Sequence, residues 1–359
     1  MSEENGDPGP SSARLLRADG RPNGHRQGIE LPPTGPLGTG GLVHPVEVDR
    51  GPLRVVSYNV RYFGHALRGL ASTMGPKRRV AAAIASLDPL PDIICLQEVE
   101  TRSLRSYTAD RHAEPTQLEA FMGRMEEIFT LSGLVMPYEA YYFPAHTYRF
   151  RKINLYTTGL AVLVHRGRLR VEHHNSEAPE QITHRPNVEA LRQHKQTRIC
   201  AHVRVRTPWG TPLNVFNTHL SLPNFFTKEF WARGDKMGFG RNQLQEAQLL
   251  AAFVQRYAQD EPFVVAGDFN TAPDTPVYRY LAEDVGFASA QPLLADMAGP
   301  RKRFPTAGFM HLRMHLDHLF GGGIAFEDLE GTRPFGDKQS PFFGLSDHMP
   351  LIGRLRLPE

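Results

Sequence analysis

Four carboxylates (Glu98, Asp268, Asp317, Asp347), three amides (Asn59, Asn217, Asn270) and two imidazoles (His219, His348) stand at or near the ends of apolar runs in this 359-residue sequence. The stretch "FVVAGDFNTAPD" (263–274) shows the pattern: a short apolar run reaches a glycine and then delivers Asp268 and Asn270. "VVSYN" ends at Asn59, "IICLQE" at Glu98, and "VFNTHLS" carries Asn217 and His219. "HLDHLF" holds Asp317 with His318, and "GLSDHMPL" sets Asp347 and His348 before the last apolar run. Oxygen donors dominate this set. Hard cations such as Mg²⁺ or Mn²⁺ prefer such donors, whereas zinc prefers nitrogen and sulfur. Imidazoles titrate near neutrality and so can give or take a proton. Carboxylates, a hard divalent cation and an imidazole are the parts that phosphoester cleavage needs. The cation neutralises phosphate oxygens, a base takes a proton from water, and an acid or the cation stabilises the leaving alkoxide.

Such groups work only if rigid elements aim them at one place. Strands are expected over 53–59, 92–97, 159–165, 198–206, 212–219, 263–267, 315–320 and 349–356. Apolar residues at helical spacing predict helices over 77–87, 116–131 and 242–258. Asp and Asn also favour turns, so one such pair alone would carry little weight. Six strands, each with a polar residue at or near an end, point to one shared mouth. Strands interspersed with helices suggest a mixed α/β or α+β domain. The stretches 138–152 and 222–241, rich in proline and aromatic residues, read as rim loops. Phe225, Phe226, Phe230 and Trp231, interleaved with Lys228, Arg233 and Lys236, could stack bases, touch a lipid surface or pack on their own domain.

Composition bounds the rest. With 40% hydrophobic and 22% charged residues the chain reads as soluble and globular, and a net charge of +3 permits an anionic substrate without requiring one. Two cysteines, Cys95 and Cys200, each in an apolar run, imply buried free thiols. Residues 1–50, rich in Gly, Pro, Ser and Arg, read as a disordered or extended arm before a domain over 51–359. The opening segment lacks the apolar core of a secretory leader, and no run approaches the ~18 apolar residues of a membrane span, so a cytoplasmic location is expected. His311 and His315 have the spacing of a helical zinc pair, but their stretch reads as strand. "PKRRV" (76–80) reads as the start of a helix, and "GGG" (321–323) as a strand-end turn.

The blocks "SYNV", "LQEVE", "NTHLS", "GDFNTAP", "LDHLF" and "LSDHMPL" run in one order over residues 53–357. In this the chain resembles the endonuclease/exonuclease/phosphatase family, which includes deoxyribonucleases, apurinic endonucleases, inositol polyphosphate 5-phosphatases, neutral sphingomyelinases and deadenylases. The resemblance implies a four-layer sandwich of two packed mixed sheets flanked by helices, with the site at one end. It implies metal ligation by Glu98 with Asn59 and Asp347, and water activation by Asp268. It places His348 beside the phosphate with Asp317 holding it, and His219 in support or at the leaving group. Asn217 and Asn270 would contact substrate, as would Arg61, which stands where apurinic endonucleases carry an aspartate. The expected cofactor is Mg²⁺ or Mn²⁺. The expected substrate is a phosphodiester, nucleic acid ahead of phospholipid, with a sphingomyelinase-like small-diester hydrolase as the alternative. A catalytically silent phosphate-binding module is the reading from another class. A silenced copy typically loses a carboxylate or imidazole, and here only the aspartate replaced by Arg61 is missing.

Overall fold

Side chains alternate across a strand with period two, and β1 (Leu53–Asn59) obeys this alternation. Leu53 and Val55 join one buried cluster, while Val56 and Tyr58 join another on the opposite face. A strand buried on both faces must lie inside a layered structure. The computed structural model describes residues 50–61, 74–103, 117–150, 153–183, 197–223, 237–293, 305–309, 312–329 and 337–358. The arm expected over 1–50 (Arg50 excepted), His311 and the four aromatics of the 222–241 stretch lie outside them.

After β1 come α1 (Met74–Ala85), β2 (Ile93–Ser103), α2 (Gln117–Leu131), β3 (Tyr138–Phe150), β4 (Ile153–His165), β5 (Arg170–His174) and β6 (Glu180–Gln181). β7 (Ile199–Arg206), β8 (Pro212–His219), α3 (Arg241–Ala258), β9 (Phe263–Asp268) and the short α4 (Pro276–Arg279) come next. The chain closes with β10 (Ala288–Ser289), β11 (Ala307–Phe309), β12 (Leu312–Met314), β13 (Asp317–Gly322), β14 (Ala325–Leu329) and β15 (Leu351–Arg356). One sheet runs β14-β15-β1-β2-β4-β3, and the other β10-β13-β9-β8-β7-β5 with β6 on β7. The pairs β1/β2 and β8/β9 are parallel, and the other pairings are antiparallel.

The core between the sheets takes alternate residues from both: Val55, Cys95 and Val162 from one, Val203, Val215, Val264 and Leu319 from the other. Helices α1 and α2 cover the outer face of the first sheet through Ile84, Phe121 and Met125. Helix α3 covers the second through Leu250, Phe253 and Val254. The result is a four-layer α/β sandwich. Both cysteines are buried and free. No helix among the described residues is long and apolar enough to cross a membrane.

The structure corrects one expectation outright. Residues 138–152 are not a rim loop; most of them form β3, paired along its length with β4. Pro144 suggested a loop because proline cannot donate to a ladder. β3 is an edge strand, and Pro144 sits where the register shifts, the two places where a sheet tolerates proline. Gly321 and Gly322 belong to β13, and the turn begins at Gly323 with φ +61°.

Candidate active site

Register turns separate strand ends into one row. Asp317 on β13, Asp268 on β9 and His219 on β8 are direct partners across three adjacent strands, so they share a face. Period two puts that face toward the other sheet, continuing the line of Val264, Ala266 and Asp268. Across from it, Asn59 on β1 pairs with Gln97 on β2. Simple alternation would send Glu98 to the outer face. Instead Leu96 pairs with Ala161 and Val99 with Gly159, so Gln97 and Glu98 together oppose a single residue of β4. This β-bulge, with Glu98 at φ +55°, swings its carboxylate to the inner side. Arg61 (φ +42°) and Asn270 (φ +48°) are also left-handed. Three of the five positive-φ non-glycine residues among the described residues therefore sit at this mouth, each at a cost of about 1–2 kcal/mol.

The side chains converge on Asp268. Asn59 Nδ2 donates to Asp268 Oδ2 at 3.0 Å and to Glu98 Oε1 at 3.2 Å. The Asn270 amide N–H donates to Asp268 Oδ1 at 2.9 Å. His219 Nε2 and His348 Nε2 lie 3.5 and 3.6 Å from Asp268 Oδ2, and His348 Nδ1 is 2.8 Å from Asp317 Oδ2. Local sequence explains how His348 arrives there. The Ser346 hydroxyl donates to the Asn59 carbonyl at 2.7 Å, and Met349 N–H to the Thr306 carbonyl at 2.7 Å. The Thr306 hydroxyl oxygen in turn accepts from the N–H groups of Leu316 and Asp317. One threonine thus fixes both partners of the His348–Asp317 bond.

Burial sets the protonation of this cluster. It pushes the Asp268 carboxyl up to about 7, a rise that the charge of His348 opposes and that of Asp317 reinforces. Burial alone would lower His348, but the carboxylates of Asp317 and Asp268 outweigh it and raise the imidazole to about 10. His219 is held well below the usual imidazole range by burial, then by the charges of Arg198 and His348. Burial also raises Glu98. At neutral pH one histidine is an imidazolium and the other is neutral.

A model of the endonuclease/exonuclease/phosphatase family matches residues 56–348. The chain belongs to that family. Comparison with curated protein sequences returns no match. Among solved structures the chain is similar to the human Nocturnin catalytic domain with bound sulfate, at 19% identity and TM-score 0.56, over 85% of this chain and 94% of that one. It is similar to ANGEL2, a 2′,3′-cyclic phosphatase, at 16% identity and TM-score 0.58, over 86% and 96%. A mannosyl-6-phosphatase of Bacteroides thetaiotaomicron matches at 16% identity and TM-score 0.53, over 84% and 99%. At these identities the likeness is one of fold.

The family's implied divalent cation fits the donor set. Glu98, Asp268, Asp317, Asp347 and Asn59 offer hard oxygen atoms, and Asp317 Oδ1 is buried without a hydrogen-bond partner. Asp268, Asp317 and His348 bring three donor atoms within 4.8 Å of one another, but His348 Nδ1 is already committed to Asp317. The set built on Glu98, Asn59 and Asp347 suits a hard ion better, since it offers only oxygen ligands. In it Asp347 pairs with the guanidinium of Arg61, whose backbone N–H also donates to Asn59 Oδ1 at 3.0 Å.

Asn217 departs from the expectation that it contacts substrate. It is wholly buried, and its Nδ2 donates to the carbonyls of Leu96 and Ala161 on the opposite sheet, both at 3.0 Å. Its Oδ1 accepts from Gln97 at 2.8 Å, so it braces one sheet against the other beneath the site. Asn217→Ala should lower unfolding free energy by about 3 kcal/mol, because three buried hydrogen bonds, two to carbonyls and one from Gln97, are lost together. Urea denaturation would measure this, and a change below about 1 kcal/mol, the worth of a single ordinary hydrogen bond, would remove the brace. Asn270 Nδ2 likewise turns inward, to the Leu220 carbonyl at 2.9 Å and toward His219 Nε2 at 3.2 Å. Sequence reasoning missed Arg198, which lines a cleft with Glu98, Thr158 and His219. Its place just before β7, beside the end of β8, comes only from their antiparallel pairing.

Proposed function

We propose that this chain is a divalent-metal-dependent phosphodiesterase that transfers the phosphoryl group of its ester directly to water. The row Asp317–Asp268–His219, with His348 against it, is the observation that carries this reading. It sets a carboxylate base and a charged imidazole around one point. Asp268, its carboxyl near neutrality, takes a proton from the attacking water. A bond from that oxygen to phosphorus forms as the bond to the leaving alkoxide breaks. His348, kept charged by Asp317, donates from Nε2 to a phosphoryl oxygen and stabilises the charge that grows there. His219 is neutral and its Nε2 accepts from Asn270, so its part is support. Glu98, Asn59 and Asp347 would hold the cation, which when bound neutralises phosphate oxygens and the leaving group. Arg61 and Arg198 bring positive charge to an anionic substrate.

Nucleic acid is the first substrate class to test. Purified protein would be assayed on plasmid DNA, single-stranded RNA, sphingomyelin vesicles, a 2′,3′-cyclic nucleotide, a sugar monophosphate and bis(p-nitrophenyl) phosphate, each with Mg²⁺, Mn²⁺ or EDTA. The expected result is diester cleavage that EDTA abolishes. Turnover of the sugar monophosphate alone would replace the diesterase reading with a monoesterase. No turnover, with phosphate still bound, would favour the silent binding module.

A further inference from the structure

Helix α3 presents buried polar side chains to the loops that carry the site. Gln243, fully buried, donates from Nε2 to the carbonyls of Ser221 and Asn270 at 2.9 and 2.7 Å. Glu246 is also fully buried. Its Oε2 accepts the Ser221 amide N–H and its Oε1 the Ser221 hydroxyl, each at 2.8 Å. A carboxylate so deep in the protein is costly unless it is hydrogen-bonded, and Ser221 supplies two such bonds. The Ser221 N–H bond alone would tie the helix to the loop. The second bond commits the hydroxyl proton to Glu246, which turns the oxygen lone pairs outward. Arg198 Nε donates to that oxygen at 3.3 Å. Arg198 in turn lines the cleft with Glu98 and His219.

We infer that Glu246 and Ser221 are positioning residues that fix the Arg198 guanidinium at the cleft, so that an anionic oxygen of the substrate meets a preset cation. A free arginine side chain loses much rotamer freedom on binding, and a prior hydrogen bond removes part of that loss. The inference rests on the phosphoesterase reading for what Arg198 receives. The relay itself is a property of this chain's own hydrogen bonds.

The two Ser221 bonds separate by mutation, because Ser221→Ala removes the hydroxyl and keeps the N–H bond to Glu246. Inorganic phosphate affinity by calorimetry, KM and kcat on bis(p-nitrophenyl) phosphate, and hydrogen exchange at Arg198 Nε by NMR would be read in the full chain. Ser221→Ala should weaken phosphate binding and raise KM by about tenfold, the effect of one charge-assisted hydrogen bond, with kcat within about twofold. Ser221→Thr should restore both, and Glu246→Gln should track Ser221→Ala. In an Arg198→Ala background, Ser221→Ala should add nothing, since residues acting through one another are not additive. Additive effects, or an Arg198 Nε–H that exchanges equally fast with and without the Ser221 hydroxyl, would overturn the relay. If the wild-type chain neither binds phosphate nor turns over a diester, the phosphoesterase reading fails, and the exchange measurement alone decides the relay.

Discussion

Asp268→Ala should lower kcat by about three orders of magnitude, the middle of the range that a positioned general base contributes. The carboxylate sits in the middle of the site, with Asn59, Asn270, His219 and His348 all aimed at it. No neighbour can replace it, since Asp317 is committed to His348 and Glu98 lies against Asn59. Asp268→Asn keeps the shape and the N–H bond from Asn270 while removing the base, but sets its amide NH2 against the Asn59 donor, so it should lose as much activity with a modest loss of thermal stability. The raised carboxyl gives the pH effect its sign. The protonated form cannot accept a proton, so the rate should fall as the pH falls through this titration, which lies near 7 without metal and lower once the cation is bound. Carbon-13 NMR of the Asp268 carboxyl in metal-free protein should show a titration near 7. Added divalent cation should move that titration down, because a nearby positive charge favours the carboxylate. A titration near the ordinary carboxylate value of about 4 in the metal-free protein, or a variant with wild-type turnover, would remove Asp268 from the role of base.

His348→Ala should cost about a hundredfold to a thousandfold in kcat/KM, the range seen when one preorganised donor to developing charge is lost. Its imidazolium is held between Asp317 and Asp268, and it is their charge that keeps it protonated against the effect of burial. Asp317→Asn tests that cause directly. The isosteric amide removes the charge, so the imidazole should lose its proton at lower pH, and the alkaline limb of the rate profile should move down from about 10. The sign is fixed, because a histidine whose value was raised by a carboxylate falls when the carboxylate is neutralised. The titration of His348 by proton NMR checks the same shift without turnover. An alkaline limb that stays in place in Asp317→Asn would show that Asp317 only supports the fold.

Particular residues show how far the sequence could be read. Asp268 and Asn270 were legible because an apolar strand leading straight into two polar groups is a local pattern. The strands β1, β8 and β9 were legible for the same reason. β3 was not, because Pro144 breaks the local pattern and only the edge position and the register shift make it tolerable. Asn217 has the same residue type and strand-end position as Asn59, yet its two donors go to carbonyls of the opposite sheet. Nothing near it in sequence could reveal that. Arg61 and Asp347 meet across 286 residues, and Arg198 reaches the cleft because β7 runs antiparallel to β8.

The sequence by itself determined the inventory: which carboxylates, amides and imidazoles stand at strand ends, and the ordered blocks that placed the chain in its family. Alternation along a strand is local, so it also determined that Val264, Ala266 and Asp268 face one way. Only the tertiary structure decided which of these groups remain available to a substrate or a cation. Register aligns Asp317, Asp268 and His219, a bulge admits Glu98, and packing of the second sheet consumes Asn217. Each of these depends on a partner remote in sequence, and a hydrogen-bonding group is free or occupied only by virtue of what the fold places beside it.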